Sequence, residues 1–383
     1  MDFVYDAEQE ALKAAMAAVL GKAYDSSETR RAVTQVDPGW SEGTWQQLAE
    51  TGALGLPFAE ADGGFGAGPV EVAIVAEEIG RVIAPEPYVE TVVLAGSLVQ
   101  ALGSDEQRAR ILGGIAEGTL VPAVAHAETG ARYGLQPTAV TAAGSGDSWT
   151  LSGTKEPVIT GERADLLIVT AALPSGGTGV FVVEPDATGL TRMGYRTADG
   201  GRAAKVTFAD TPATPLGSAG SDASDAVALA VAKAQVAYCH EALGAMETAL
   251  HTTVEYLKTR KQFGVPLMTF QALTFRAADM YMQLELARSI VMWATLVLAD
   301  SEDARFQIEA AQRAKLKIST ASRLVSQEAV QMHGGIGVTA EYSIAHYMAR
   351  LTVIDHLLGD GAHQLGALAA SVDDHAELDP FGE

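Results

Sequence analysis

The chain has only one cysteine, Cys239, among its 383 residues, which excludes an internal disulfide bond and a metal site built on several cysteines. Basic residues are also scarce: 26 stand against 48 acidic ones, which gives a formal net charge of −22. Such a charge repels the phosphate backbone of nucleic acids and anionic membrane surfaces. We therefore expect a cytoplasmic protein that does not bind nucleic acid.

Long hydrophobic runs are missing as well. The longest uncharged run, Leu166 to Val183, is broken by Pro174-Ser175-Gly176-Gly177, and the first residues of the chain are acidic. Neither a membrane span nor a signal peptide is predicted. Charged residues make up only 19% and hydrophobic residues 48%, a balance that excludes intrinsic disorder along the whole chain and supports two or three folded domains.

The spacing of apolar residues divides the chain into three segments. Helical spacing in residues 1–120 predicts an N-terminal helical domain. Residues 121–220 change to a period of two, which predicts a middle β domain with buried strands at Leu166–Thr170 and Gly179–Val183 and a linker at 211–218. Residues 221–383 show three long helical patterns with short breaks, which are typical of an antiparallel bundle, then a helix at Ser343–Leu357 and an acidic tail.

The first bundle helix ends in Arg260-Lys261-Gln262-Phe263-Gly264. One interpretation is a simple helix stop, in which basic residues occupy the last turn and Gly264 supplies the C-terminal cap. The other is a binding site, because a guanidinium and an aromatic ring displayed together can hold a diphosphate and a heteroaromatic ring.

The third long helix ends in Gln331-Met332-His333-Gly334-Gly335-Ile336-Gly337. Closely spaced glycines let a backbone approach a ligand, and their amides can cradle phosphate oxygens. A glycine run is also typical of an ordinary connector, and this one lacks the lysine of a phosphate-binding P-loop. His333 is interpreted as a packing or hydrogen-bonding residue.

Together these segments resemble the acyl-CoA dehydrogenase family over nearly the whole chain. The specific part is the ordered pair of motifs Arg-Lys-Gln-Phe-Gly and Gln-Met-His-Gly-Gly-Ile-Gly. Other matching segments are Leu54-Gly55-Leu56-Pro57, Gly63-Gly64-Phe65-Gly66, Glu77-Glu78-Ile79-Gly80-Arg81, Ala127-Glu128 and Gly153-Thr154-Lys155. The resemblance implies an α+β fold with an N-terminal helical domain, a middle β-barrel domain and a C-terminal four-helix bundle.

The resemblance also implies FAD-dependent α,β-dehydrogenation of acyl-CoA thioesters, with an electron-transfer flavoprotein as acceptor. This chemistry needs a carboxylate that removes the α-proton. Aligned from Gln331, the usual position of that glutamate holds Leu358; aligned from Arg260, the position used by a subset of the family holds Ala234. Neither alkyl side chain can accept a proton. Gln235 stands where the family usually has an arginine.

The positions expected to touch FAD divide into two groups. In the flavin-facing wall, Pro157-Val158-Ile159 replaces the tryptophan, apolar residue and hydroxyl residue of the family. By contrast, the residues that in the family reach the ADP half of a neighbouring subunit's FAD match well. They are Arg260, Phe263, Gln331, Gly334 and Gly335, with Gln262 in place of a smaller polar residue.

A chain that keeps the contacts to a neighbour's FAD but lacks the base resembles the non-catalytic subunit of actinobacterial heteromeric acyl-CoA dehydrogenases. The resulting hypothesis is an α2β2 assembly with a homologous catalytic subunit, engaged in fatty acid or steroid degradation. Taken alone, the chain is then expected to be inactive.

Two alternatives keep a different activity on the same fold. One is a self-sufficient homotetrameric dehydrogenase with a displaced base, either Asp360 or Glu128, although Asp360 between two glycines also suits a solvated turn. The other is a flavin-dependent monooxygenase, which needs no such base. A metal site at His356, Asp360 and His363 is not expected, because Gly359 and Gly361 disfavour a helix that would align them. Cys239 is interpreted as a small buried apolar residue.

Overall fold

A computed structural model describes residues 5–146 and 148–372. The N-terminal part is helical, and two of its helices begin with reciprocal capping boxes, Asp6 with Gln9 and Ser104 with Gln107. Its elements are α1 (Ala7–Ala23), α2 (Ser27–Gln35), α3 (Glu42–Glu50), α4 (Pro69–Val82), a π-helical segment (Val89–Ala95) that continues as α5 (Gly96–Leu102), and α6 (Asp105–Ala116).

The middle part is a β-barrel. Its strands are β1 (Pro122–Ala125), β2 (Thr141–Ser145), β3 (Ser148–Ile159), β4 (Leu166–Ala172), β5 (Thr178–Val183), β6 (Leu190–Arg196) and β7 (Arg202–Pro215). The ring β4-β2-β3-β7-β5 closes on itself through the antiparallel pairing of β4 with β5, while β1 joins β4 in parallel and β6 joins β7. Closure leaves an inner face for a separate apolar core that contains Leu151, Val158 and Phe181.

The C-terminal part is a bundle of long helices. They are α7 (Ser224–Thr259), α8 (Gln271–Asp300), α9 (Ala304–His333), α10 (Ser343–His356) and α11 (Gly361–Ala370). The helix α7 packs against both α8 and α9, and it also crosses α4 of the N-terminal part. One continuous apolar core therefore joins the N-terminal helices to the bundle.

The crossing of α4 and α7 depends on two glycines. A Cβ atom on Gly80 would lie 1.9 Å from the carbonyl oxygen of Glu241, and one on Gly244 would lie 2.0 Å from that of Glu77. Only glycine permits such backbone contact. The two helices meet here without intervening side chains, which sets their separation where α7 enters the site described below.

Two local predictions were wrong. The segment 211–218 is not all linker, because β7 continues to Pro215 and pairs with β5. Gly359 and Gly361 do not exclude a helix: Gly361 opens α11, and Asp360 is its N-cap, whose carboxylate accepts a hydrogen bond from the backbone N–H of His363. The acidic tail expected after this helix lies mostly in residues 373–383, outside the described residues.

The helix α8 is long and apolar enough to cross a membrane by length and composition alone. A core helix of a bundle passes the same test, and α8 packs along α9 as well as α7. Much of its apolar surface stays exposed in the single chain, including Phe275, Met282 and Leu286.

Candidate functional site

The two positions predicted for the base meet in space. Leu358 follows α10 in a tight turn, in which Leu358 has φ 57° and Gly359 has φ 106°. The side-chain amide of Gln235 on α7 donates to the carbonyl oxygen of Leu358 over 2.7 Å. Its neighbour Ala234 is fully buried at the same place on α7. The Gln235 hydrogen bond thus brings the segment of α7 that contains Ala234 next to the turn that contains Leu358, and both base positions hold alkyl side chains.

Buried polar groups hold this turn in place. Lys315 of α9 is fully buried, and its ammonium donates to the carbonyl oxygens of Ile354 and, over 3.2 Å, Asp355. A cation suits the end of α10, where carbonyl groups lack partners within the helix. Gln364 of α11 donates to the carbonyl oxygen of Leu358 over 3.2 Å. The position of Leu358 is therefore fixed from α7, α9 and α11.

A cavity of about 80 Å³ lies beside Leu358, between the barrel, the bundle and the N-terminal helices. Pro157 and Ile159 line it from one face of β3, while Val158 between them points into the barrel core, as the alternation of a strand requires. The flavin-wall positions and the base position predicted from the sequence therefore line one cavity. The other lining residues include Glu90, Leu94, Val124, His126, Ala127, Arg132, Tyr133, Tyr238 and His356.

Glu90 and His126 are among the polar groups of this cavity that the sequence reasoning missed. Glu90 accepts a 2.6 Å hydrogen bond from the hydroxyl of Tyr238, and burial raises the pKa of Glu90. Burial lowers the pKa of His126 to about 4, so its imidazole is neutral, and its Nδ1 has no hydrogen-bond partner within the described chain. The usable signal for Glu90 was a single carboxylate within an apolar helical run.

Asp360 is a capping residue and not a solvated turn residue. Its side chain is mostly buried, caps α11, and pairs with Arg132 over 3.0 Å and with the hydroxyl of Tyr133 over 3.2 Å. Burial opposes its ionisation, but these hydrogen bonds and the guanidinium outweigh it and lower the pKa of Asp360. Both oxygens are engaged, so the group is a poor base.

Glu128 is also fully engaged. Its carboxylate accepts hydrogen bonds from the backbone N–H groups of Thr138, Ala139 and Val140, and it pairs with Lys155 over 2.8 Å. Burial alone would raise its pKa, but these donors hold the pKa of Glu128 at about 2. Lys155 is completely buried and also donates to the carbonyl oxygen of His126. The pair joins β1, β3 and the loop before β2, which is a structural role.

His356, Asp360 and His363 surround Tyr133 instead of a common point for a metal ion. The Tyr133 hydroxyl lies 3.3 Å from Nδ1 of His356 and 3.2 Å from Asp360, while the His363 ring packs 5.3 Å from the Tyr133 ring. Across the described ranges, no group of three metal-ligating side chains is close enough to hold an ion.

The first motif forms a hairpin and not a glycine-capped helix end. The helix α7 ends at Thr259, and the chain turns back through the strands β8 (Lys261–Gln262) and β9 (Val265–Pro266). Gly264 lies at the tip of this hairpin with φ 83°, so the interpretation in which it caps the helix is wrong. Phe263, also at the tip, is 91% exposed. Arg260 and Gln262 are exposed beside it.

The second motif lies next to the first. Tyr256, one turn before Arg260, stacks on His333 at 4.3 Å between ring centres, which brings the ends of α7 and α9 together. His333 is buried and bonded to the carbonyl oxygen of Ala329, so it packs the motif from within. Gln331, Gly334 and Gly335 are exposed, and a Cβ on either glycine would meet nothing within 4 Å. This end of the bundle presents an open glycine surface beside a cation and an aromatic ring.

Comparisons with known proteins cover almost the whole chain. Residues 6–119 match the family model of the acyl-CoA dehydrogenase N-terminal domain, and residues 226–372 match that of the C-terminal domain. The chain is 30% identical over 366 residues to acyl-CoA dehydrogenase IpdE2 of Mycolicibacterium smegmatis, covering 95% of this chain and 99% of IpdE2.

Two solved structures share the fold and the full length. A variant of the Tcur3481-Tcur3483 steroid ACAD is 32% identical, with a TM-score of 0.87 and coverage of 96% of this chain and 98% of that chain. The ChsE4-ChsE5 complex from Mycobacterium tuberculosis is 25% identical, with a TM-score of 0.89 and coverage of 98% and 100%.

Proposed function

Since the chain belongs to the acyl-CoA dehydrogenase family, we propose that it is the subunit without a catalytic base in a heteromeric acyl-CoA dehydrogenase. In this role it completes the FAD site of a homologous partner that carries the glutamate, and it works in the cytoplasm. The observation that carries the proposal is that Leu358 lines the cavity and is bonded to Gln235, the neighbour of Ala234, while the FAD-contacting motifs stay exposed.

The enzymes of this family are oxidoreductases that use FAD to accept a hydride from the β-carbon of an acyl-CoA while a carboxylate removes the α-proton. A base must come within hydrogen-bond reach of that proton. Asp360 and Glu128 are tied up in the contacts described above. Among the described residues lining the cavity, Glu90 is the only carboxylate, and the Tyr238 hydroxyl already bonds it.

The exposed end of the bundle fits the ADP half of FAD. Arg260 supplies a cation for the diphosphate, Phe263 a face on which a heteroaromatic ring can stack, and Gly334 and Gly335 an unobstructed backbone surface. Because the chain has a formal charge of −22, attraction for a diphosphate must come from an individual basic residue and not from the overall charge. These residues point out of their own chain, so the FAD they hold belongs to a neighbouring subunit.

The isoalloxazine end fits less well. Pro157 and Ile159 offer neither a stacking ring nor a hydroxyl. Among the buried side-chain atoms of the described lining residues, Nδ1 of His126 is without a partner, and this neutral group could bond a flavin edge. The difference between the well-matched ADP end and the poorly matched isoalloxazine end supports the proposal that this chain helps to bind the FAD of its partner and not an FAD in its own cavity.

Exposed apolar side chains of this chain offer a surface that a partner subunit can cover. Phe263, Met268, Phe275, Met282 and Leu286 are each exposed by at least a third of their surface along the hairpin and α8. Exposed large apolar side chains of this kind are typical of a subunit interface. The similar ChsE4-ChsE5 structure is a complex of two proteins. An α2β2 assembly with a catalytic homologue, acyl-CoA as substrate and an electron-transfer flavoprotein as acceptor follow as parts of the proposal.

The test is to prepare the chain alone, its candidate partner alone, and both together. We expect flavin absorbance and acyl-CoA-dependent dye reduction only in the mixture, with a native mass of an α2β2 complex. Arg260→Gln in this chain should lower the flavin content of the mixture, whereas Arg110→Gln, an exposed arginine on α6, should not.

Two outcomes contradict the proposal. If the chain alone binds flavin and oxidises acyl-CoA, it is self-sufficient, and loss of that activity in Glu90→Gln would then identify the base. If the chain takes up oxygen with reduced flavin and has no acyl-CoA activity in any mixture, the monooxygenase alternative is correct.

A further inference from the structure

A second cavity, of about 160 Å³, lies on the opposite side of the same helices. It shares no lining residue with the cavity beside Leu358. The segment 89–102 and α7 form walls of both: Glu90 and Tyr238 face the first cavity, and Val93 and Val236 face the second. The wall residues of the second are mainly apolar: Pro57, Ala67, Pro69, Val72, Ala73, Val93, Val236, Ala237 and Leu298.

Lys233 is the exceptional group in this apolar lining. It is half-buried on α7, and it makes no hydrogen bond or ion pair within residues 5–146 and 148–372. Burial lowers the pKa of Lys233, with no nearby carboxylate to offset the effect. A partly desolvated ammonium without an acceptor is unfavourable, and an anion bound beside it would relieve that cost.

The other polar side chains of the lining have different roles. His240 is bonded to the hydroxyl of Thr295 over 2.7 Å and faces Glu77, and the amide nitrogen of Gln100 donates to the carbonyl oxygen of Pro57 over 2.9 Å. Ser97 is a small neutral residue on the wall. Among the lining residues that the structure describes, a ligand therefore finds one free cation and extended apolar walls.

We propose that this cavity binds an apolar monocarboxylate, with its carboxylate on the ammonium of Lys233 and its hydrocarbon part against Val72, Val93 and Val236. A diphosphate or a whole CoA thioester does not suit the site, since a single cation faces a mostly apolar wall. The site is independent of the missing base, so it stands whether or not the chain needs a partner subunit.

The test is calorimetric titration of the full-length chain with decanoate. Affinity should rise with chain length from hexanoate to decanoate, by up to about fourfold per methylene group. Decanol, which has the same tail without the charge, should bind at least about tenfold more weakly, because it loses a charge-assisted hydrogen bond. A parallel titration with cholate, a carboxylate on a bulky ring system, shows whether the cavity prefers a ring system or a straight chain.

Variants test separately how much the charge of Lys233 and the apolar walls contribute to binding. Lys233→Met should weaken decanoate binding about tenfold or more and leave decanol binding unchanged, and Lys233→Arg should retain most of it. Lys22→Met, at an exposed lysine in α1, is the matched control and should change nothing. Ala73→Leu narrows the cavity without altering charge and should weaken both ligands.

The proposal is overturned if decanoate and decanol bind alike, if Lys233→Met and Lys22→Met behave identically, or if neither ligand binds. Butyryl-CoA should not compete with decanoate. Competition would assign the signal to the first cavity and also reject the proposal.

Discussion

Replacing Glu128 by glutamine isolates the cost of a buried, unpaired lysine. In Glu128→Gln the ammonium of Lys155 keeps only neutral acceptors, the carbonyl oxygen of His126 and the hydroxyl of Thr170, and it remains completely buried. Breaking a buried ion pair in this way costs about 3–5 kcal/mol. The substitution therefore tests whether Glu128 is a structural residue.

The cost has an upper limit, because Lys155 can lose its proton. A free lysine has a pKa of about 10.4, so keeping the amine neutral at pH 7 costs about 4.6 kcal/mol, and at pH 9 only about 1.9 kcal/mol. Glu128→Gln should therefore lower the free energy of unfolding by about 3–4.6 kcal/mol at pH 7 and by about 2 kcal/mol at pH 9. The sign follows from linkage: above the lowered folded pKa the unfolded chain binds the extra proton, so the variant gains stability as pH rises.

The measurement is denaturant unfolding of wild type and variant at pH 7, 8 and 9, followed by circular dichroism. The double variant Glu128→Gln/Lys155→Met is the matched control, and it should show no such pH dependence because no ammonium remains. A loss below about 1 kcal/mol, or a loss equal at all three pH values, would refute the reasoning. Unchanged stability with abolished acyl-CoA oxidation would instead favour Glu128 as the base.

Three further predictions concern the surroundings of the site. Gly244→Ala should destabilise the chain by at least about 1–3 kcal/mol, because its Cβ would meet the carbonyl oxygen of Glu77 at 2.0 Å; a thermal midpoint equal to wild type would contradict this contact. Burial raises the pKa of Glu86 to about 7, so between pH 4.5 and 7 the folded chain holds a proton that the unfolded chain releases, and its contribution to stability falls as pH rises through that window. Glu86→Gln should thus be more favourable relative to wild type at pH 8 than at pH 4.5 in parallel unfolding curves, and no difference would exclude the buried acid. Asp360→Asn keeps the cap of α11 but loses the ion pair with the exposed Arg132, so it should lower the free energy of unfolding by less than about 1 kcal/mol. The activity of the assembled complex should stay intact. Loss of that activity would instead support Asp360 as the base.

Much of the fold could be predicted from local patterns. The periods of apolar residues indicated the helical, β and helical parts, and they located the buried strands β4 and β5 and the long helices α7, α8 and α9, because a half-buried element repeats its apolar residues at its own geometric period. Errors arose where local signals had two meanings. Gly264 lies at a hairpin tip and not in a helix cap, and Gly361 opens a helix because Asp360 caps it.

The sequence by itself determined the family, since the ordered motifs depend on no partner in space, and it supplied the identities of Ala234 and Leu358 on which the proposed absence of a base rests. Only the tertiary structure decided what the remaining charged groups do. Glu128 acquires Lys155, Asp360 acquires Arg132, and Lys233 acquires no partner within the described chain and faces an apolar cavity. The physical reason is that the protonation and reactivity of a side chain depend on its burial and its neighbours, which for these residues come from distant segments that meet only when the chain folds.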